Sequence, residues 1–187
     1  MKILVIEDSP RNIASARLTL ADHELTICDN IQAAYDVLSD KTQSFDVVLT
    51  DLFLPLGSFE GAMSRRYENS PDNQLPAGLV FAIKAINREM PCVICTDANH
   101  HTDWICALLD LINNGLGPYP EDRKRKIVYV EARYVYLDGS WDEDTQMLVQ
   151  EKDDPSVTIK DWGMAIKFSN FFPNVFPHPS IAAKNCS

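Results

Sequence analysis

Lys2-Ile3-Leu4-Val5-Ile6 followed by Glu7-Asp8, and Phe45-Asp46-Val47-Val48-Leu49-Thr50 followed by Asp51, are the two stretches that decide the fold. Short aliphatic and β-branched runs of this kind mark strands buried on both faces of a parallel sheet. Both runs exit into acid. In open parallel sheets, ligands sit just beyond the carboxyl ends of the strands. Glu7, Asp8 and Asp51 are therefore expected at one sheet edge, where they repel one another unless a positive group lies between them. A hard divalent cation with oxygen ligands, such as Mg2+, is the simplest candidate.

Outward from these runs, strand and helix signals alternate. A first strand covers about 2–7. A helix follows from Pro10 or Arg11 to about Ala21, with Ser9 as candidate cap, Pro10 in the first position, and Ile13, Ala16 and Leu20 at helical spacing. Leu25–Cys28 reads as a second strand, and Ile31–Leu38 as a helix turning Ala34, Val37 and Leu38 inward. After the strand ending at Asp51 come a helix over Leu79–Ile86 (apolar face Leu79, Ala82, Ile83, Ile86) and a strand at Cys92–Thr96. A helix at Trp104–Ile112, starting on a packed Trp104, and a fifth strand at Ile127–Val130 complete the alternation. This order predicts a doubly wound, five-stranded parallel sheet with helices on both faces, a flavodoxin-like α/β fold with loop insertions.

Composition narrows the function classes. The chain has 187 residues, 45% of them hydrophobic, long enough for one well-buried domain. A formal net charge of −10 argues against a nucleic-acid surface, which needs clustered Lys and Arg. No apolar run approaches the roughly 20 residues of a membrane span, and MKILVIED turns acidic too soon for a secretory leader. The cytoplasm is the default location. The five cysteines are odd in number and mostly set in apolar segments, so no disulfide framework is expected. Cys92-Val-Ile-Cys95 is formally a CxxC, but inside a strand its two thiols face opposite sides and read as small buried hydrophobes.

Three stretches interrupt the alternation. Residues 56–75 are polar and turn-rich and leave from the acidic edge, where they could serve as a lid or partner surface. Residues 115–126 carry the basic run Arg123-Lys124-Arg125-Lys126, and residues 138–155 are strongly acidic; both read as solvated loops. The domain is expected to span 1–171, with insertions at about 56–75 and 131–156. Residues 172–187 form a tail without periodicity. Asn99-His100-His101-Thr102-Asp103 gathers potential ligands, but it reads better as a helix-capping loop.

ILVIEDSPRN, FDVVLTDLFLP, the Pro-Ala-Gly-Leu segment at 76–79 and PCVICTDA at 91–98 together resemble the receiver domain of two-component response regulators. The resemblance covers roughly residues 1–100. It implies Asp51 as phosphoacceptor, Thr96 as the hydroxyl that binds a phosphoryl oxygen and reports it to the next loop, and Mg2+ held by Glu7, Asp8, Asp51 and the carbonyl of Phe53. It also implies a histidine kinase or phosphotransfer protein as donor and a downstream protein partner. Phosphoryl acceptance would be self-catalysed, without enzymatic turnover, and the short tail implies a stand-alone receiver acting through contact.

Two departures stand out. Asp97 follows Thr96 where receivers carry a small residue. No lysine follows the expected fifth strand, which runs into Glu131-Ala132-Arg133; the best substitute is Lys160 in VTIKDWGMAIKF. That choice makes 131–156 a hairpin or excursion before the chain returns to the sheet edge. Asp161 then opens a closing helix that buries Trp162, Ala165, Ile166 and Phe168. A pseudo-receiver, an interaction module that is never phosphorylated, is the alternative. A phosphohydrolase of the haloacid dehalogenase type ranks last, because it needs a second Asp where Phe53 stands.

Overall fold

The computed structural model describes residues 1–55, 74–97, 104–105, 107–109, 127–131, 134–137, 140–149 and 157–169. Five strands, β1 (Lys2–Ile6), β2 (Glu24–Cys28), β3 (Val47–Thr50), β6 (Cys92–Thr96) and β7 (Ile127–Glu131), form one sheet in the order β2-β1-β3-β6-β7. Every pairing in it is parallel. The chain moves from β1 to β2 in one direction and to β3, β6 and β7 in the other, so the order reverses between β1 and β3. That reversal opens a crevice at their carboxyl ends, the usual ligand position in such sheets.

The central strands β1, β3 and β6 are mostly apolar and buried because helices cover both faces. Ile3 and Val5 of β1, Val47 and Leu49 of β3, and Val93 and Cys95 of β6 point into one core with Ala16, Leu20, Trp162 and Ala165. Leu4, Ile6, Val48, Cys92 and Ile94 point the other way, against Ala34, Leu38, Phe81, Ala82, Ala85, Ile105 and Leu109. The first core is thus closed by α1 (Pro10–Thr19) and α4 (Trp162–Ser169). The second is closed by α2 (Ile31–Ser39), α3 (Ala77–Asn87) and the helical residues 104–109 that are described. Cys92 and Cys95 fall in opposite cores, as strand alternation requires. Burial pushes the Cys28 thiol up to about 11, the Cys95 thiol to about 12 and that of Cys92 upward as well, so all three are inert hydrophobes.

Several local expectations need correcting. Ser9 sits at the N-cap of α1, but its side chain makes no cap bond. Its carbonyl accepts from Ile13 N–H instead, and its own N–H donates to Glu7 Oε1 at 3.0 Å. Asn30 does cap α2, accepting from Ala33 N–H at 2.8 Å. On α3 the buried stripe is Ala77, Gly78, Phe81, Ala82 and Ala85, while Ile83 is half exposed. The helix is rotated from the face its aliphatics suggest. Trp104 does not pack; it is 74% exposed.

The insertions are anchored in different ways. β4 (Leu54–Pro55) and β5 (Gln74–Leu75) pair antiparallel, clamping together the two ends of the first one just past Asp51. Residues 56–73, the helix-capping loop at 99–103, the basic run at 123–126 and the tail lie outside the described residues. After β7 the chain makes β8 (Tyr134–Leu137), then a hairpin of β9 (Ser140–Asp142) and β10 (Met147–Val149), then β11 (Val157–Lys160). The acidic stretch is partly this hairpin's turn: the Asp142 carboxylate accepts from the N–H groups of Asp144 and Thr145. β11 does not return to the edge of the main sheet. It pairs antiparallel with β8, Lys160 opposite Tyr134, and backs onto α1. In α4, Trp162 and Ala165 are buried and Ile166 partly so, while the side chain of Phe168 lies outside the described ones.

Candidate functional site

Strand register builds the site. The Asp51 N–H donates to the Ile6 carbonyl at 2.8 Å, and the Glu7 N–H donates to the Cys28 carbonyl at 3.0 Å. These bonds carry the ladder one residue past each strand and set Asp51 beside Glu7 and Asp8. Carboxylate oxygens of all three lie within 4.8 Å of one another, with Glu7 and Asp51 buried and Asp8 half-buried. Thr96, the last residue of β6, is buried next to them, and its hydroxyl hydrogen-bonds the Asp51 carboxylate.

The cation comes from the far end of the chain. Lys160 is fully buried, with Nζ 2.8 Å from Glu7 Oε2, 3.7 Å from Asp51 Oδ1, and donating to the Cys95 carbonyl at 3.4 Å. Its ammonium also lies 4.9 Å from the centre of the Trp162 ring. Burial alone would lower its pKa, but Asp51 and Glu7 beside it prevail and raise it. Lys160 stays charged.

Its single charge is not enough. Burial lifts the Asp51 carboxyl to about 6, and Glu7 adds to the rise against the opposing pull of Lys160, Thr96 and the Leu52 N–H. Burial also lifts Asp8, helped by the charges of Asp51 and Asp97. The three carboxylates outnumber the one ammonium among them, and so leave negative charge for a further cation to meet. The oxygen-only donor set and its size suit a hard divalent ion. The acidic cluster could hold a metal ion.

Phe53 lies in the loop after Asp51, its ring packed on the core edge. Asp97 is exposed, and its charge is felt at Asp8.

Gly78 was missed as a site residue. A Cβ there would fall 1.9 Å from the Asp51 carbonyl oxygen, and the Gly78 N–H donates to the Leu52 carbonyl at 3.0 Å. The first turn of α3 therefore rests on the backbone of Asp51, an approach only glycine permits. The signal was a glycine placed just inside a helix, where it costs stability unless packing requires it. Ser15, buried on α1 with its hydroxyl donating to the Lys160 carbonyl, left no mark in the sequence.

No family model matches the chain. A two-component response regulator-like protein of Arabidopsis thaliana, APRR3, is 30% identical over 78 residues, 41% of this chain. The match spans only 16% of that relative's length. A response regulator receiver domain protein from Clostridium thermocellum superposes with a TM-score of 0.44 at 18% identity, covering 92% of this chain and 94% of that one. The response regulator TrrA of Thermotoga maritima, solved in complex with Mg2+-BeF, gives 0.38 at 18% identity over 57% and 78%. The proteins that this chain resembles are response regulators and their receiver domains, and its own strand order and crossovers give it a flavodoxin-like α/β fold.

Proposed function

We propose that the chain is a Mg2+-dependent phosphoacceptor switch that takes a phosphoryl group on Asp51 and signals through protein contact. One observation carries this reading: three carboxylates converge at the sheet's reversal point around a buried lysine that lies between Glu7 and Asp51. Glu7, Asp8 and Asp51 would hold Mg2+, with the Phe53 carbonyl as a further ligand by analogy with receivers. Bound there, the ion supplies the charge neutralisation that lets one anion approach another.

The chain's own residues do the rest. An Asp51 carboxylate oxygen attacks phosphorus, forming an aspartyl phosphate as the P–N bond of a phosphohistidine, or the P–O bond of a small acyl phosphate, breaks. The leaving group is imidazole or a carboxylate. Lys160 pairs with the transferred group, and the Thr96 hydroxyl turns from the carboxylate to a phosphoryl oxygen. That turn is a local charge change read by the adjoining loop. Donor and reader are a histidine kinase or phosphotransfer protein and a downstream protein partner in the cytoplasm. The chain accepts and releases a phosphoryl group and turns over no other substrate.

Mg2+ titration should give one site in the wild type and weakened binding in Asp8→Asn. Beryllofluoride, a phosphoryl mimic, should bind only with Mg2+ present and not to Asp51→Asn; binding that survives in Asp51→Asn places the acceptor elsewhere. One observation favours a second reading: the charge of Asp97 reaches Asp8 and makes the crevice less welcoming to anions. Mg2+ binding with no beryllofluoride binding would identify a pseudo-receiver.

A further inference from the structure

β11 forms no backbone ladder with the five-stranded sheet; among the described residues its ladder partner is β8 alone. The register that fixes Asp51 and Thr96 therefore does not reach Lys160. Besides the ladder to β8 and the bonds of its ammonium to Glu7 and Cys95, the backbone around the lysine is held by one stripe of α1. The Trp162 indole N–H donates to the Asn12 carbonyl at 3.0 Å. The Ser15 hydroxyl donates to the Lys160 carbonyl, both residues being buried. At Gly163 a Cβ would stand 3.2 Å from the Thr19 carbonyl, so that residue too is pressed to the helix. Asn12, Ser15 and Thr19 follow one another at spacings of three and four, a single helical face.

Of these three holds, only that of Ser15 acts on Lys160 itself. Ser15 and Ile159 also border a cavity of about 300 Å³, lined with them by Arg11, Ala14, Arg17, Leu18 and Trp141. The lysine has little room for error, because 2.8 Å separates its ammonium from Glu7 and 3.7 Å from Asp51.

Resting on the reading of Asp51 as acceptor and Lys160 as its cation, we propose that Ser15 is a positioning residue for Lys160. It replaces, from α1, the registration that a strand of the main sheet would supply. Ser15 touches neither phosphoryl group nor metal; it acts through the lysine.

Two readouts on the full chain test this. The first is the 1H–15N signal of the Lys160 ammonium, which burial protects from exchange with water. Ser15→Ala should shift or broaden it, Ser15→Thr should restore it, and Thr19→Val, which removes only the neighbouring Thr19–Ser15 hydrogen bond, should leave it in place. An unchanged signal in Ser15→Ala overturns the proposal. Should Ser15→Ala fail to fold, Ser15→Cys, with similar volume and a weaker donor, takes its place under the same expectation. The second readout is the rate of phosphoryl uptake from acetyl phosphate with Mg2+. Ser15→Ala should slow it roughly tenfold, the scale of one lost buried hydrogen bond, yet change nothing in a Lys160→Met background. An equal loss in both backgrounds makes Ser15 merely structural. If the wild type takes up no phosphoryl group, the switch reading fails, and the ammonium signal still decides the role of Ser15.

Discussion

The parallel sheet and the β8–β11 region contribute to the same site by different physics. Along β1, β3 and β6, a carboxylate or hydroxyl is placed by register: Glu7 and Asp51 stand one residue past their strands and Thr96 ends its own, and ladder bonds hold each exit. Lys160 arrives on a strand outside that ladder and is placed by side-chain contacts to α1. A ladder distributes its load over many bonds, whereas a clamp depends on a few. Changes at the lysine and its clamp should therefore act on geometry and stability together, and changes at the strand exits mainly on charge.

The largest effect is expected at the lysine itself. Lys160→Met leaves Glu7 buried without its cation, a loss on the order of 3–5 kcal/mol. Chemical denaturation without Mg2+ should show it, and added Mg2+ should recover part of the deficit. A loss that Mg2+ leaves untouched would mean that lysine and metal do not share the same charges.

Gly78→Ala tests the ladder side. Its methyl group must displace the Asp51 backbone or the start of α3, and overpacking of this kind costs about 1–3 kcal/mol. Mg2+ affinity should fall as well, since Asp51 moves with the backbone. A variant as stable as wild type with unchanged Mg2+ binding would show that the strand exit tolerates displacement.

Asp51→Asn should move stability the opposite way. The Asp51 carboxyl sits at about 6 in the fold, above the ordinary value near 3.9 of an unfolded chain. A raised acid is easier to keep neutral than ionised, so its penalty is absent below pH 4, grows from pH 4 to 6 and is complete above that. Without Mg2+, Asp51→Asn should match wild type near pH 4 and be more stable by on the order of 2 kcal/mol at pH 8. For the same reason Mg2+ binding to wild type should weaken as pH falls through 6, because the ion displaces protons. A variant less stable than wild type at pH 8 would show that Lys160 already neutralises the cluster.

The smallest effect belongs to Asp97→Asn. Removing an exposed charge should speed uptake of an anionic donor by roughly twofold, more at low salt than at high. No salt dependence would mean that Asp97 is screened from the crevice.

The same contrast explains what could be read from the chain. β6 is legible to the residue because four buried apolar positions in a row, closed by Thr96, fit little but a central strand. The acidic trio was legible because strand exits are sequence-local features. On α3, by contrast, Leu79, Ala82, Ile83 and Ile86 make as good a stripe as the real one. The approach of Gly78 to Asp51 settles the helix rotation, a tertiary contact that periodicity does not contain. Trp104 is exposed because apolar residues on a surface are ordinary. Lys160 was found by its local pattern, but its route was not: the expected return to the sheet edge is replaced by pairing with β8. Ser15 on α1 carried no local mark, since its partner lies 145 residues away.

The central claim, that Asp51 is a working phosphoacceptor, is tested most directly by intact mass after incubation with acetyl phosphate and Mg2+, wild type beside Asp51→Asn. A gain of one phosphoryl group in the wild type, absent from Asp51→Asn and absent when Mg2+ is withheld, is the predicted result. The same gain in Asp51→Asn, or none in the wild type under conditions where Mg2+ is bound, would contradict it.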